Sequence, residues 1–110
     1  MNLNDRIYIA GHSGLVGSAI HTQLRIQGFN NLIIRSHKEL NLTRQLEVEN
    51  FFKEEAPEYV ILAAAKVGGI YANSTAPAEF IYRNIAIQTN VIHESYCAGV
   101  EDLVFLGSSC

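Results

Sequence analysis

Three groups of residues in this 110-residue chain have types and spacings that can do chemistry. The first is Gly11-His12-Ser13-Gly14-Leu15-Val16-Gly17, with glycines three and three apart. Gly11 permits a tight turn, Gly14 lets the backbone approach a pyrophosphate, and Gly17 lets helix and strand pack closely. The segment from Gly11 to Gly17, including His12, Ser13, Leu15 and Val16, is therefore expected to hold a dinucleotide. Its diphosphate would lie at a helix N-terminus, where free N–H groups and the macrodipole favour an anion. A glycine-rich turn without a ligand is the plainer alternative. The second group is Arg35-Ser36-His37-Lys38, with no acid until Glu39. An acidic residue there would hold the ribose 2′-hydroxyl of NAD, whereas positive charge suits the 2′-phosphate of NADP. Arg35 can form a forked contact with a phosphate and Ser36 can add a donor, so NADP(H) is expected over NAD. A solvated basic cluster explains the same residues. The third group is Gly107-Ser108-Ser109-Cys110. A serine beside a nicotinamide can hydrogen-bond a carbonyl oxygen that receives hydride. A cysteine nearby can trade protons if its thiol moves from its ordinary pKa of about 8.5 towards neutrality. A polar strand end is the alternative.

Other positions are less pointed. Asn41-Leu42 could offer an amide and an apolar contact to an adenine, or be a plain turn capped by Thr43. Ala63-Ala64-Ala65 could let the backbone lie against a cofactor ribose, or serve close helix packing. Lys66-Val67-Gly68-Gly69 could shape a substrate pocket or be a solvated loop. Asn84 lies in line with Phe80, Ile87 and Val91 and, as a buried amide, would tie its helix to backbone. His93 and Cys97 are four apart, but no second pair has ligand spacing, so no metal site is expected. Cys97 reads as a small buried hydrophobe. His12, His21 and His37 are scattered, and packing accounts for His12 as well as binding does.

The elements that must position these groups alternate along the chain. Arg6-Ile7-Tyr8-Ile9-Ala10 is an apolar run of the kind buried on both faces in a parallel sheet. A helix is expected from Gly14 to Gln27, with Val16, Ala19, Ile20 and Leu24 as its stripe and Gly28 as its stop. A short strand follows at 31–34. The next helix runs from 43 to 55 with Leu46, Val48, Phe51 and Phe52 on its apolar side, and Pro57 stops it. A strand at 59–63, a loop at 64–74, a helix at 77–98 and a strand at 103–106 complete the series. Strand–helix alternation predicts an α/β fold, a doubly wound parallel sheet in the order 3-2-1-4.

Composition agrees with a packed domain, since 48% of the residues are apolar and 17% charged. A net charge of −3 has the wrong sign for a nucleic-acid binder. No apolar run approaches the roughly 18 residues a membrane span needs. The N-terminal residues lack a signal-peptide pattern, and two cysteines without framework spacing suit a reducing, cytoplasmic setting. Residues 1–110 are expected to be part of a dinucleotide-binding domain cut at its active site, because the chain stops straight after an apolar strand.

With these residues assembled, the chain resembles the extended short-chain dehydrogenase/reductases, and among them the N-terminal portion of the GDP-L-fucose synthase family. The stretches that carry the resemblance are Ile9 to Ile20, Glu39-Leu40-Asn41-Leu42, Leu62 to Ile70, Phe80-Ile81-Tyr82-Arg83-Asn84 and Phe105 to Cys110. The resemblance implies that Ser108 polarises a sugar keto group and that Cys110 is one of two proton-transfer residues. It implies an NADPH-dependent 3,5-epimerisation and 4-reduction of GDP-4-keto-6-deoxy-D-mannose, performed by a homodimer with a separate sugar-binding domain. The Tyr-x-x-x-Lys pair of the superfamily is missing, because the residues four after the five tyrosines are His12, Ala63, Thr75, Ala86 and Val100. The 110 residues by themselves are therefore expected to be inactive. Ser13 and His37 stand where many bacterial members carry Arg, leaving Arg35 and Lys38 to favour NADP. The alternatives are a 4-epimerase or dehydratase of nucleotide sugars with bound NAD, and a non-catalytic dinucleotide-binding module.

Overall fold

In a computed structural model, residues 2–63 and 77–105 are described, except for the side chains of residues 77–81 and 105. The elements in order are β1 (Ile7–Ala10), α1 (Leu15–Ile26), β2 (Leu32–Ile33), α2 (Gln45–Glu55), β3 (Tyr59–Leu62), α3 (Pro77–Cys97) and β4 (Asp102–Phe105). All four residues of β1 are buried, as the apolar run predicts. Two helices end as glycine dictates. Gly28 (φ 99°) and Gly99 (φ 74°) take left-handed geometry. Around them Phe29 N–H donates to Leu24 O and Val100 N–H to Ser95 O, both at about 3 Å.

The sheet is parallel throughout, and its order is β2-β1-β3-β4. The α/β doubly wound class is as expected, but the order 3-2-1-4 is not: the third strand lies beside the first rather than outside the second. The reason is burial. Three of the four β3 residues are buried, so the strand needs a neighbour on each side. β1 offers it a four-residue register, from Ile7 opposite Tyr59 to Ala10 opposite Leu62. β2 is two half-buried residues and can only be an edge.

This order makes the chain reverse at β1. Right-handed crossovers in opposite directions must place their helices on opposite faces. Accordingly Ile7, Ile9 and Ile61 pack with Ile20 and Leu24 of α1 and with Phe29. The other face joins Tyr8, Ala10, Val60 and Leu62 to Val48, Phe51 and Phe52 of α2 and Val91 of α3. Tyr8 sits 4.5 Å from the Phe51 ring and edge-on to Phe52 at 6.1 Å. Burial pushes its phenol well above the usual tyrosine range, with Arg35 opposing weakly. Val16, Ala19 and Leu46, counted in the helical stripes, are exposed instead.

One helix ends without glycine. Ala56 closes α2 at φ 45° and ψ 57°, its N–H donating to Phe52 O at 3.0 Å, and Pro57 follows. A Cβ in left-handed geometry costs about 1 kcal/mol, and Ala56 is exposed, so no packing is lost by removing it. Ala56→Gly is therefore expected to stabilise the chain by up to about 1 kcal/mol, read as an increase in the urea midpoint at unchanged slope.

Candidate dinucleotide-binding site

Because the strands are parallel, the segments that follow β1, β2 and β3 emerge at one edge of the sheet. The first is the glycine loop. Gly11 (φ 89°) makes a turn closed to any L side chain, and Gly14 N–H donates to its carbonyl at 3.1 Å. α1 starts directly from Gly14, with no capping side chain and no acid in its first turn. Its leading N–H groups and dipole are thus left facing the loop. The side chains beside them are apolar and exposed, Leu15 at 89% and Val16 at 54%.

Two of the glycines answer different demands. A Cβ on Gly17 would overlap the Gly11 carbonyl, standing 2.7 Å from its carbon and closer still to its oxygen. Gly17 is therefore required by the protein, because α1 lies directly on the turn. A Cβ on Gly14 would meet only Gly11 O, at an ordinary 3.6 Å, and Gly14 has φ −76°. The fold tolerates a side chain at Gly14, so its glycine fits a demand from outside the protein, the close approach of a diphosphate. The loop thus fits a dinucleotide.

His12 is half-buried and packs edge-on to His21 of α1 at 6.2 Å. The His21 imidazole is held below its ordinary range by burial, then by Arg25 and His12. Ser13 is exposed.

After β2, Arg35 behaves differently from its expected role. One guanidinium nitrogen donates to Ile34 O at 2.8 Å and another pairs with Glu55 Oε2 at 3.1 Å, with the group 5.4 Å over the Phe51 ring. Glu55 also accepts Arg6 at 3.3 Å. The Arg35 fork is therefore engaged at the end of α2.

Ser36 and Glu39 cap each other: Ser36 N–H donates to Glu39 Oε1 at 2.8 Å, and Glu39 N–H to Ser36 Oγ at 3.3 Å. Hydrogen bonds from the Ser36 backbone, then from its side chain, hold the Glu39 carboxyl below the usual carboxylate range. His37 and Lys38 lie exposed in the turn between them.

Further along, Asn41 Oδ1 accepts Thr43 N–H at 3.0 Å and Thr43 Oγ1–H at 2.6 Å. Asn41 N–H donates to Glu47 Oε1 at 3.1 Å. The Leu42 carbonyl accepts Nδ2 of Asn90, a buried residue of α3. Sequence reasoning passed over Asn90. The signal was available: an amide beside Val91 and in line with Ile87 on the inner face of a helix. Asn84 is half-buried on the same helix. After β3, Ala63 N–H donates to Ala10 O at 2.8 Å, which brings its backbone beside the start of the glycine loop.

The structure therefore brings Gly11–Gly17, the 35–38 segment, Asn41-Leu42 and Ala63 to one edge. Ala64, Ala65, Lys66 to Gly69, Ser108, Ser109 and Cys110 lie outside the described residues. Cys97 is exposed rather than buried, because it falls on the outer face of α3, with Sγ 3.5 Å from Nε2 of His93. Among the described residues no three His, Cys, Asp or Glu side chains gather as a metal site.

Known proteins share this arrangement. GDP-L-fucose synthase 1 of Arabidopsis thaliana is 64% identical over 105 residues, covering 96% of this chain and 32% of the relative. GDP-L-fucose synthase of Escherichia coli K12 is 52% identical over 105 residues, covering 96% and 33%. The chain thus spans about a third of the length of the curated relatives it matches. The solved structure of MlghC, a GDP-mannoheptose C4 reductase from Campylobacter jejuni with NADP bound, superposes with a TM-score of 0.92 at 50% identity. That match covers 97% of this chain and 32% of that one. Residues 7–110 match the NAD dependent epimerase/dehydratase family, and the chain belongs to it.

Proposed function

We propose that this chain forms the cofactor-holding N-terminal third of an NADP(H)-dependent epimerase/reductase acting on GDP-linked 4-keto sugars. The observation that carries the cofactor part is the contrast between Gly17, which the fold requires, and Gly14, which it does not. The substrate reading rests on the relatives named GDP-L-fucose synthase, and gives conversion of GDP-4-keto-6-deoxy-D-mannose to GDP-L-fucose. The Campylobacter reductase named for a GDP-mannoheptose supports a second reading, C4 reduction of a GDP-heptose, at similar identity.

In this proposal the N–H groups at the start of α1 bind the cofactor diphosphate, with Leu15 and Val16 as apolar cover. His37 and Lys38 supply positive charge for a 2′-phosphate, and Ser36 adds its hydroxyl. Glu39 is bonded to the Ser36 amide and so is not offered to a ribose 2′-hydroxyl, which disfavours NAD. Asn41-Leu42 borders the adenine, and Ala63, Ala64 and Ala65 border the nicotinamide ribose. Bound NADPH supplies the hydride that reduces the 4-keto carbon. Ser108 holds the carbonyl oxygen, stabilising negative charge as the neighbouring carbons lose protons, and Cys110 carries one of those protons. A Tyr–Lys pair completes the site from beyond these residues, so the 110-residue chain by itself is inactive.

The partner is a second copy. Tyr82, Ile85, Thr89, Ile92 and Tyr96 recur at spacings of three and four along α3, and the large apolar ones are exposed, Tyr96 at 85%. Such a heptad seam suits a helix of another protomer. No helix among the described residues is long and apolar enough to cross a membrane, and we place the enzyme in the cytoplasm.

Four outcomes are expected. The complete protein consumes NADPH when given GDP-4-keto-6-deoxy-D-mannose; turnover with a GDP-heptose and not with this sugar would select the second reading. Gly14→Ala leaves the urea midpoint unchanged and weakens NADPH binding at least about tenfold by fluorescence titration, whereas Gly17→Ala costs about 3 kcal/mol of stability. Lys38→Glu lowers the ratio of NADPH to NADH affinity by about tenfold, about 1.4 kcal/mol, and leaves NADH binding unchanged. Ile85→Glu shifts sedimentation equilibrium from dimer to monomer.

A further inference from the structure

Asn90 is buried, 9% exposed, beside Val91 in the core between α3 and the sheet. An amide in such a place loses its hydration and must find a partner within the protein. Its partner is neither on its own helix nor on the sheet. Nδ2 donates at 2.9 Å to the carbonyl of Leu42, 48 residues earlier in the chain. That carbonyl lies in a one-turn segment in which side chains hold further polar groups. Asn41 N–H is bonded to Glu47, and Asn41 Oδ1 accepts both the amide and hydroxyl of Thr43. Because Thr43 N–H can only donate, the Asn41 amide is oriented: its oxygen faces Thr43 and its Nδ2 has no partner among the described residues. A second bond, Gln45 Nε2 to Glu94 Oε2 at 2.9 Å, fastens α3 to the start of α2 immediately beyond this turn.

We propose that Asn90 is a positioning residue for the adenine end of the cofactor site, holding Leu42 so that the Asn41 amide nitrogen is presented away from Thr43. The inference rests on the reading of Asn41-Leu42 given above, and goes beyond it by assigning the presentation of that amide to a buried residue on a different layer. Asn90 touches no ligand. It acts through the backbone, and its effect is confined to the adenosine half of the cofactor.

The test uses the full chain with two probes, 2′,5′-ADP for the adenosine end and inorganic pyrophosphate for the glycine loop. Asn90→Asp keeps the shape but sets an acceptor against the Leu42 carbonyl. It is expected to weaken 2′,5′-ADP about tenfold while pyrophosphate affinity stays within about twofold. Asn90→Ser, which retains a donor, recovers part of the loss. Equal losses for both probes, or no loss for 2′,5′-ADP, would overturn the proposal. The unsubstituted chain decides independently should the variants not fold. The Asn90 side-chain amide resonances must shift on adding 2′,5′-ADP and stay fixed with pyrophosphate, and silence in both titrations refutes the role. If the unsubstituted chain binds neither probe, the cofactor reading itself falls. If it binds both and Asn90 is silent, only the positioning role does.

Discussion

The contact on which the rest depends is the one between Gly17 and the Gly11 carbonyl. There α1 rests directly on the turn that leaves β1, with no room for a Cβ. This contact fixes where the helix begins, and so where its unpaired N–H groups point. It also carries the helix back over β1, so that Ile20 and Leu24 fall on Ile7 and Ile9. The proposed anion site and one half of the core are therefore two consequences of one close approach. A larger residue at Gly17 lifts the helix and disturbs both.

The same turn makes β1 the point where the chain changes direction. β2 lies on one side and β3 on the other, with their crossover helices on opposite faces. Loops that leave adjacent strands toward opposite faces open a crevice between them, which is where ligands sit in sheets of this kind. The bond from Ala63 N–H to Ala10 O carries the ladder to the lip of that crevice. The short β2 is anchored from outside the sheet, by Asn31 Nδ2 to Asn4 O at 2.6 Å and by Arg35 to Glu55.

What was legible in the sequence was local. The apolar run of β1, the glycine spacing and the stops at Gly28, Pro57 and Gly99 depend on residues within a few positions of one another. They specify strand, loop and helix ends directly. Strand order was not legible, because alternation of strand and helix is identical for 3-2-1-4 and 2-1-3-4. Only the burial of β3 against the brevity of β2 separates them. Arg35 was read as a phosphate fork because its partner Glu55 is 20 residues away and on another element. The residue type of Cys97 suggests burial, whereas the phase of α3 turns it outward. Asn90 was missed for the same reason as Arg35: an amide on an apolar stripe signals a bond, but not with what.

Arg35 shows how a basic cluster can be divided between structure and ligand. With one nitrogen on Glu55 and another on the Ile34 carbonyl, its fork is engaged, and in the proposed site a 2′-phosphate meets it as a fixed charge rather than as a donor. Arg6 and Arg35 share the Glu55 carboxylate, and Glu58 accepts the Arg6 backbone N–H, so both arginines at the end of α2 have acidic neighbours. In the proposed site the exposed His37 and Lys38 supply the contacts that Arg35 cannot, on a turn kept in shape by the reciprocal bonds of Ser36 and Glu39. The acid that in an NAD site would face the ribose is here used to fold the turn. In the proposed site, discrimination comes from the exposed cation of Lys38 and from the withdrawal of a carboxylate, and not from the arginine fork that the sequence suggests.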